Sequence, residues 1–262
     1  MIAGTPVPQI AAYHRSRYVA DSLVVGAAGH LKHEDIVGLA ERFVEAPEGV
    51  VPEVNGGTPG RKPRVRFNAK DTEQYHICFG APGIARNDER RFVLAVIDSA
   101  FGGSVSSRLF REVREKRGLA YAVGSYAEQY LDRGSVATYV GTRGDNVAEA
   151  CEIIGRELSS LSNEGVRGEE LERAKEQVKG RMVLGMESTG ARMARVARAT
   201  LFGLEILSLD EMISRVDAVS EEDVAALAAE LYDPANFSAA CIGTSEECFT
   251  RAVGAVSEKL TA

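Results

Sequence analysis

The sequence contains no tryptophan and only four cysteines, and neither its basic nor its apolar residues form long runs. The cysteines are scattered without a C-x-x-C pair, so neither a zinc knuckle nor a disulfide framework is predicted. The net charge of −7 argues against nucleic acid or an anionic membrane as the main partner. Every apolar stretch ends before the roughly 20 residues that a membrane-spanning helix needs, and no secretory signal pattern opens the chain. A cytoplasmic protein is therefore expected.

The chain of 262 residues, 45% of them hydrophobic, is long enough for one large or two modest domains. Apolar patterning predicts helix, strand and helix over residues 1–46, with the strand at Leu23–Gly29. A single strand between two helices leaves its edges unpaired, so this segment requires strands from elsewhere. Residues 47–61 are rich in proline and glycine and are interpreted as a linker. Residues 62–262 are predicted to form a full domain.

The end of the chain repeats the order of elements at its start. One common offset aligns Tyr18 with Tyr232 and Gly29 with Gly243, within the same succession of helix, tyrosine, strand, glycine and helix. This internal repeat predicts that residues 1–46 are the C-terminal remnant of a first domain, and that the long segment after the linker is a whole second domain. The chain is thus expected to begin inside a domain.

The four histidines do not form a standard zinc motif. His30 and His33 stand three residues apart where a strand is predicted to turn into a helix, but no H-E-x-x-H or H-x-x-E-H sequence occurs. A metal pair there would need a third ligand from elsewhere. Glu34 and Asp35, in the first turn of the predicted helix, favour a role at the helix N-terminus instead. Signatures of a Ser/His/Asp or Cys/His nucleophile and of a nucleotide-binding P-loop are also absent.

The most informative segment is residues 101–121, with the sequence FGGSVSSRLFREVREKRGLAY. A glycine loop leads into a basic helix, Gly118 ends that helix, and Tyr121 opens a strand. The residues alone allow two interpretations. In the first, the segment is a loop and a solvated helix with a charge network at i,i+4 spacing. In the second, Arg114 and Tyr121 face one cleft, where a guanidinium and a phenol donate hydrogen bonds to a peptide carbonyl or its oxyanion.

This segment resembles the C-terminal half of the pitrilysin/insulinase family of zinc peptidases, in the branch of processing-protease-like enzymes. The family pattern is similar to L-G-G-G-x-x-S-R-L-F-x-x-V-R-E-x-x-G-L-A-Y, from which the chain departs in Phe101 and in having two glycines. At the front, Gly4-Thr5-Pro6 and Tyr18-Val19-Ala20-Asp21-Ser22-Leu23 resemble the family's G-T-P and Y-x-x-D-N-M. The resemblance covers nearly the whole chain.

The resemblance implies an α+β fold of repeated peptidase-like domains, each with an antiparallel-rich sheet and helices packed on one face, the first repeat being truncated. It also implies roles for individual residues. Arg114 and Tyr121 match the arginine and tyrosine that the second half contributes to the active cleft, where they hold the scissile carbonyl. Gly102 and Gly103, followed by Ser104, match the glycine-rich loop that lines the peptide-binding chamber.

The family's zinc ligands lie before the G-T-P stretch, so no metal ligand is expected in this chain and zinc is expected in the complete enzyme. The resemblance therefore implies the C-terminal portion of a zinc metalloendopeptidase, inactive alone, that forms half of the substrate chamber and supplies carbonyl or oxyanion donors. Expected partners are a peptide or unfolded polypeptide and the missing N-terminal half or a zinc-bearing partner chain, in a homo- or heterodimer.

Two alternatives stay open. The chain could be a non-catalytic relative that acts as a peptide-binding or assembly subunit, although the presence of both Arg114 and Tyr121 disfavours this interpretation. It could also be an unrelated α+β interaction domain with a solvated basic helix, which the length of the motif argues against.

Overall fold

The computed structural model describes residues 4–51 and 62–261, which divide into two compact units. One unit comprises residues 62–181 and 209–261, and the other comprises residues 4–51 and 182–208. Most of the linker that the sequence predicts, from residue 52 onwards, lies outside the described residues. The domain boundaries proposed from the sequence stay predictions.

The larger unit contains one five-stranded sheet. Its strands are β1 (Val65–Ala69), β2 (Tyr75–Gly83), β3 (Ala120–Gln129), β4 (Gly134–Thr142) and β5 (Ser238–Gly243). They lie in the order β1-β5-β2-β4-β3, and every neighbouring pair is antiparallel except β1 and β5. The antiparallel-rich sheet expected for the fold is confirmed.

The helices of the two units are α1 (Val7–Arg17), α2 (His33–Phe43), α3 (Arg91–Phe101), α4 (Val147–Glu164), α5 (Gly168–Glu187), α6 (Thr189–Leu201), α7 (Leu209–Asp217), α8 (Glu221–Leu231) and α9 (Glu246–Val253). A π-helix runs over Phe110–Glu115, and short 3-10 turns lie at Ala20–Ser22, Gly144–Asn146, Pro234–Asn236 and Glu258–Leu260. Among the described residues, no helix combines the length and apolar character that crossing a membrane would require.

The two faces of the sheet differ because side chains alternate along each strand. On β2, Ile77 and Phe79 are fully buried, and α3, α4 and α8 pack on strands of this sheet. On the opposite face, His76 and Tyr126 are exposed. The helix α4 also packs on α8 and α9, which completes the core on the helical side. The packing of helices on one face of the sheet confirms the predicted α+β fold.

The smaller unit differs from the sequence prediction at Leu23–Gly29, which forms no strand. A strand needs a neighbour for its backbone hydrogen bonds, and the described residues of this unit contain none. Instead the segment packs on α6, since a Cβ atom added at Gly26 would lie 2.7 Å from the Cβ atom of Ala197. Helix α2 also leaves apolar side chains uncovered, with Leu39 51% and Phe43 66% exposed.

Candidate functional site

Arg114 and Tyr121, the pair selected from the sequence, lie in direct contact. The Arg114 guanidinium carbon lies 4.3 Å from the centroid of the Tyr121 ring and 4.7 Å from that of Phe110, so the cation lies against both rings. Its Nη1 atom donates a hydrogen bond of 3.1 Å to the main-chain carbonyl of Tyr121. Stacking on aromatic faces and a hydrogen bond together restrict the rotamers of a side chain that is otherwise flexible.

The connection from the π-helix to β3 explains how this contact arises. Gly118 has a φ of +61°, the left-handed conformation that favours glycine, and its N–H donates to the Arg114 carbonyl. The next N–H, of Leu119, donates to the carbonyl of the buried Val113. The register of β3 against β4 then shifts around Tyr121. A shift of this kind redirects side chains, and Tyr121 is 78% exposed.

An open cleft of about 430 Å³ lies beside this pair, on the sheet face that the helices leave uncovered. Its lining contains one guanidinium, three phenol rings and a small-residue wall, and no acidic side chain. The lining residues are Arg114, Tyr121, Ala122, Val123, Gly124, Ser125, Tyr126 and Tyr139. Such a lining offers hydrogen-bond donors to an acceptor and apolar surface to neighbouring groups.

Two of the phenols are held by side chains of β2. The Tyr139 hydroxyl lies 2.7 Å from His76 Nδ1, and the Tyr126 hydroxyl lies 3.5 Å from Cys78 Sγ. The contact with Cys78, together with partial loss of solvent around the hydroxyl, raises the pKa of Tyr126 to about 12. Sequence reasoning missed these residues, although their alternation along β2, β3 and β4 is the signal that places them on one face.

The glycine loop lies beside β3. The N–H groups of Gly102 and Gly103 donate to the Asp98 carbonyl at 3.0 and 2.7 Å. A Cβ atom added at Gly102 would lie 2.3 Å from the Ser125 nitrogen, so only glycine permits this approach. Ser104 Oγ donates to the carbonyl of Ser99 at 2.9 Å. None of the three loop residues lines the cleft defined above, and their contact with a substrate stays a prediction.

A zinc ion finds no fitting donor set in the part of the chain that the structure describes. No three histidine, cysteine, aspartate or glutamate side chains gather there as a metal site requires. His14 stacks on Tyr18 with ring centroids 4.2 Å apart, and His76 contacts Tyr139. No step through a metal is therefore assigned to residues of this chain.

Comparison with solved structures agrees with the fold. The crystal structure of a peptidase M16 inactive domain from Pseudomonas fluorescens matches with a TM-score of 0.78 over 93% of this chain and 59% of that one, at 19% sequence identity. The likeness concerns the fold alone.

Sequence comparison establishes the family. The family described as Peptidase M16 inactive domain matches residues 7–178. A protein of Streptomyces coelicolor named as an uncharacterized zinc protease is 38% identical over 231 residues, 85% of this chain and 50% of that protein. A Bacillus subtilis protein of the same description is 36% identical over 225 residues, 84% of this chain and 54% of that protein. The chain belongs to the M16 peptidase family, which confirms the resemblance to the pitrilysin/insulinase peptidases, and it spans about half the length of these curated relatives.

Proposed function

We propose that this chain is the C-terminal portion of an M16 zinc metalloendopeptidase and that it binds the main chain of a peptide or unfolded polypeptide through Arg114 and Tyr121. The observation that carries the proposal is that the Arg114 guanidinium has neighbouring basic residues paired with a carboxylate but has no such partner itself in the part of the chain that the structure describes. In the turn that follows the π-helix, Lys116 and Arg117 both pair with Glu112. By contrast, no carboxylate among the described residues forms an ion pair with Arg114, which faces an open cleft without acidic groups.

The chemistry of the pair suits a carbonyl oxygen. A guanidinium and a phenol both donate hydrogen bonds, and donors held in place before the ligand arrives stabilise negative charge that develops on oxygen. The stack against Tyr121 and Phe110 supplies that preorganisation. Binding and orienting the scissile peptide is the role proposed for this chain, and Gly102, Gly103 and Ser104 are proposed to border the chamber beside it.

The zinc that the relatives' names imply is proposed to belong to the complete enzyme, in a missing N-terminal half or a zinc-bearing partner chain. Two features support the need for such a partner. The chain spans about half the length of its curated relatives. In addition, α2 carries the exposed Leu39 and Phe43, and the described residues of the unit that holds the apolar segment Leu23–Gly29 include no strand. Residues 1–46 are accordingly proposed to complete the first domain, in a cytoplasmic, processing-protease-like enzyme.

A second candidate is a non-catalytic subunit that binds peptides or supports assembly. The description of the matched family as an inactive domain favours it. Both candidates use the same cleft. They differ in whether a zinc-bearing half, once added, hydrolyses a peptide that the cleft holds.

Peptide binding is tested with fluorescein-labelled β-casein, an unstructured polypeptide, by fluorescence anisotropy. Arg114→Lys replaces the planar guanidinium by an ammonium group, and Tyr121→Phe removes the phenol hydroxyl. Each variant is therefore expected to reduce the affinity about tenfold. The matched controls are Arg111→Lys and Tyr130→Phe, which make the same changes at exposed positions outside the cleft lining. Equal affinities for wild type and the two cleft variants would contradict the proposal, and so would chelator-resistant peptidase activity of this chain alone.

A further inference from the structure

Asp98, in the last turn of α3, joins the glycine loop to the strand that forms the cleft wall. Its Oδ1 atom accepts a hydrogen bond of 2.6 Å from the Ser125 hydroxyl on β3. Its main-chain carbonyl accepts the N–H groups of Gly102 and Gly103. One residue thus contacts both segments through two different acceptors.

The contacts around Asp98 leave little free space. A Cβ atom at Gly103 would lie 2.5 Å from Asp98 Oδ2, and one at Gly124 would lie 2.9 Å from the Gly102 carbonyl oxygen. Since neither glycine has room for a methyl group, a displacement of the carboxylate requires the loop or β3 to move with it. Ser125, the partner of the carboxylate, lines the cleft.

The charged and polar groups that face Asp98 come from three other elements. Ser125 lies on β3, and Arg181 of α5 donates a hydrogen bond of 3.4 Å to the Gly103 carbonyl while its charge acts on the carboxylate. Burial, and in addition the charge of Asp98, raise the pKa of the fully buried Tyr232, which follows α8. Burial raises the pKa of Asp98, and the Ser125 hydrogen bond and Arg181 oppose that rise. The carboxylate is therefore held by a specific arrangement and not by solvent.

We infer that Asp98 is a positioning residue of the peptide cleft, which holds Ser125 and the Gly102–Gly103 loop in the arrangement that the ligand meets. This inference rests on the proposed function, because that proposal supplies the ligand. Asp98 acts through Ser125 and the loop, and it does not itself line the cleft. Neither the sequence pattern nor the family resemblance pointed to this residue.

Three variants separate positioning from general packing. Ser125→Ala removes only the hydroxyl that Asp98 binds. Asp98→Ala removes the carboxylate, whereas Asp98→Asn keeps a carbonyl acceptor of the same size at Oδ1. A positioning role requires that the first two weaken binding and that asparagine rescues it, whereas a bulk packing role would not distinguish Ser125→Ala from the wild type.

The experiment measures β-casein anisotropy and hydrogen exchange on the same samples of this chain, residues 1–262. Ser125→Ala and Asp98→Ala are expected to weaken binding about tenfold and to speed amide exchange in residues 99–107 and 121–129, because a misplaced wall loses contacts with the ligand. Asp98→Asn is expected to stay within about twofold of the wild type, since an uncharged acceptor retains most of the hydrogen bond.

Unchanged binding in Ser125→Ala overturns the inference, even if Asp98→Ala fails to fold. Faster exchange with unchanged binding also overturns it, because the role would then be structural only. If the wild type itself does not bind β-casein, the proposed function fails, and exchange alone decides whether Asp98 holds the wall. In that case, faster amide exchange in residues 99–107 and 121–129 of Ser125→Ala, with wild-type exchange rates in Asp98→Asn, supports the role of Asp98 in holding the wall. Unchanged exchange in Ser125→Ala refutes it.

Discussion

Arg114 contacts Tyr121 in two ways at once, with its guanidinium 4.3 Å from the ring centroid and its Nη1 atom donating to the carbonyl of the same residue. The four residues between the π-helix and β3, 116–119, include the left-handed Gly118, which turns the chain back. The result is a cation held on an exposed aromatic ring without a carboxylate partner in the described part of the chain. This relationship is the basis of the functional proposal.

In the complete enzyme, Tyr121→Phe is expected to lower kcat by about 10- to 1000-fold, the range for loss of one oxyanion donor. Phenylalanine keeps the ring on which Arg114 stacks, so the fold and the stack are retained. Steady-state kinetics with a quenched fluorescent peptide measures the effect, and Tyr130→Phe on the same hairpin is the control. An unchanged kcat would remove the Tyr121 hydroxyl from the mechanism.

The same glycine-to-alanine change is predicted to have opposite effects at two positions. Gly102→Ala places a Cβ atom 2.3 Å from the Ser125 nitrogen, and overpacking of this kind costs about 1–3 kcal/mol in the free energy of unfolding. Gly180, inside α5, has nothing within 4 Å of an added Cβ, so alanine there stabilises the protein by up to about 1 kcal/mol. Urea denaturation measures both, and equal effects would refute the close approach of the loop to β3.

Two buried tyrosines differ in the state of their hydroxyl groups. The Tyr232 hydroxyl has no hydrogen-bond partner among the described residues, whereas the Tyr75 hydroxyl contacts Thr244 Oγ1 at 2.8 Å and accepts the Ser245 N–H at 2.9 Å. Removing an unpaired buried hydroxyl is neutral or stabilising, and removing a paired one costs about 1–2 kcal/mol.

The expected order of unfolding midpoints is therefore Tyr232→Phe at or above the wild type and Tyr75→Phe below it. Phenylalanine keeps the edge-on packing of residue 232 against Phe101, whose ring centroid lies 5.6 Å away. A larger loss of stability in Tyr232→Phe than in Tyr75→Phe would show that the Tyr232 hydroxyl has a partner.

Asp98 gives the stability a defined pH dependence. Burial raises the pKa of its carboxyl above the value of 3.8 that an unperturbed aspartate has. The folded state therefore binds this proton more tightly than the unfolded state does, and stability is lost as the pH rises from about 4 through the raised pKa.

Asp98→Asn removes this ionisation, so the variant is expected to gain stability relative to the wild type as the pH rises through that interval. The measurement is the urea midpoint of both proteins between about pH 4 and 8. A difference that stays constant over this range would mean that the carboxyl titrates as an exposed one does.

The sequence predicted local structure well where the signal was local. The sequence predicts that a helix ends at Gly118 and that Tyr121 opens a strand, and the structure has a helical segment at Phe110–Glu115 and β3 at Ala120–Gln129. The prediction failed at Leu23–Gly29, because an apolar run becomes a strand only where another strand supplies hydrogen bonds. The π-helix at Phe110–Glu115 was also missed, since its side-chain pattern resembles that of an α-helix.

The candidate site was partly predictable. The motif brought out Arg114 and Tyr121, and the structure places them in contact. It could not show that Tyr126 and Tyr139 share the cleft, because only the register of β3 against β4 brings them together. Asp98 carried no sequence signal, since a lone aspartate near the end of an apolar helix is typical of many solvated positions.

We propose that this chain supplies the peptide-binding donors while the zinc belongs to another part of the enzyme. This proposal is tested most directly by elemental analysis of the purified chain together with β-casein binding before and after treatment with EDTA, a chelator. We expect no stoichiometric zinc and the same affinity in both conditions. One zinc ion per chain, or an affinity that EDTA abolishes, would contradict it.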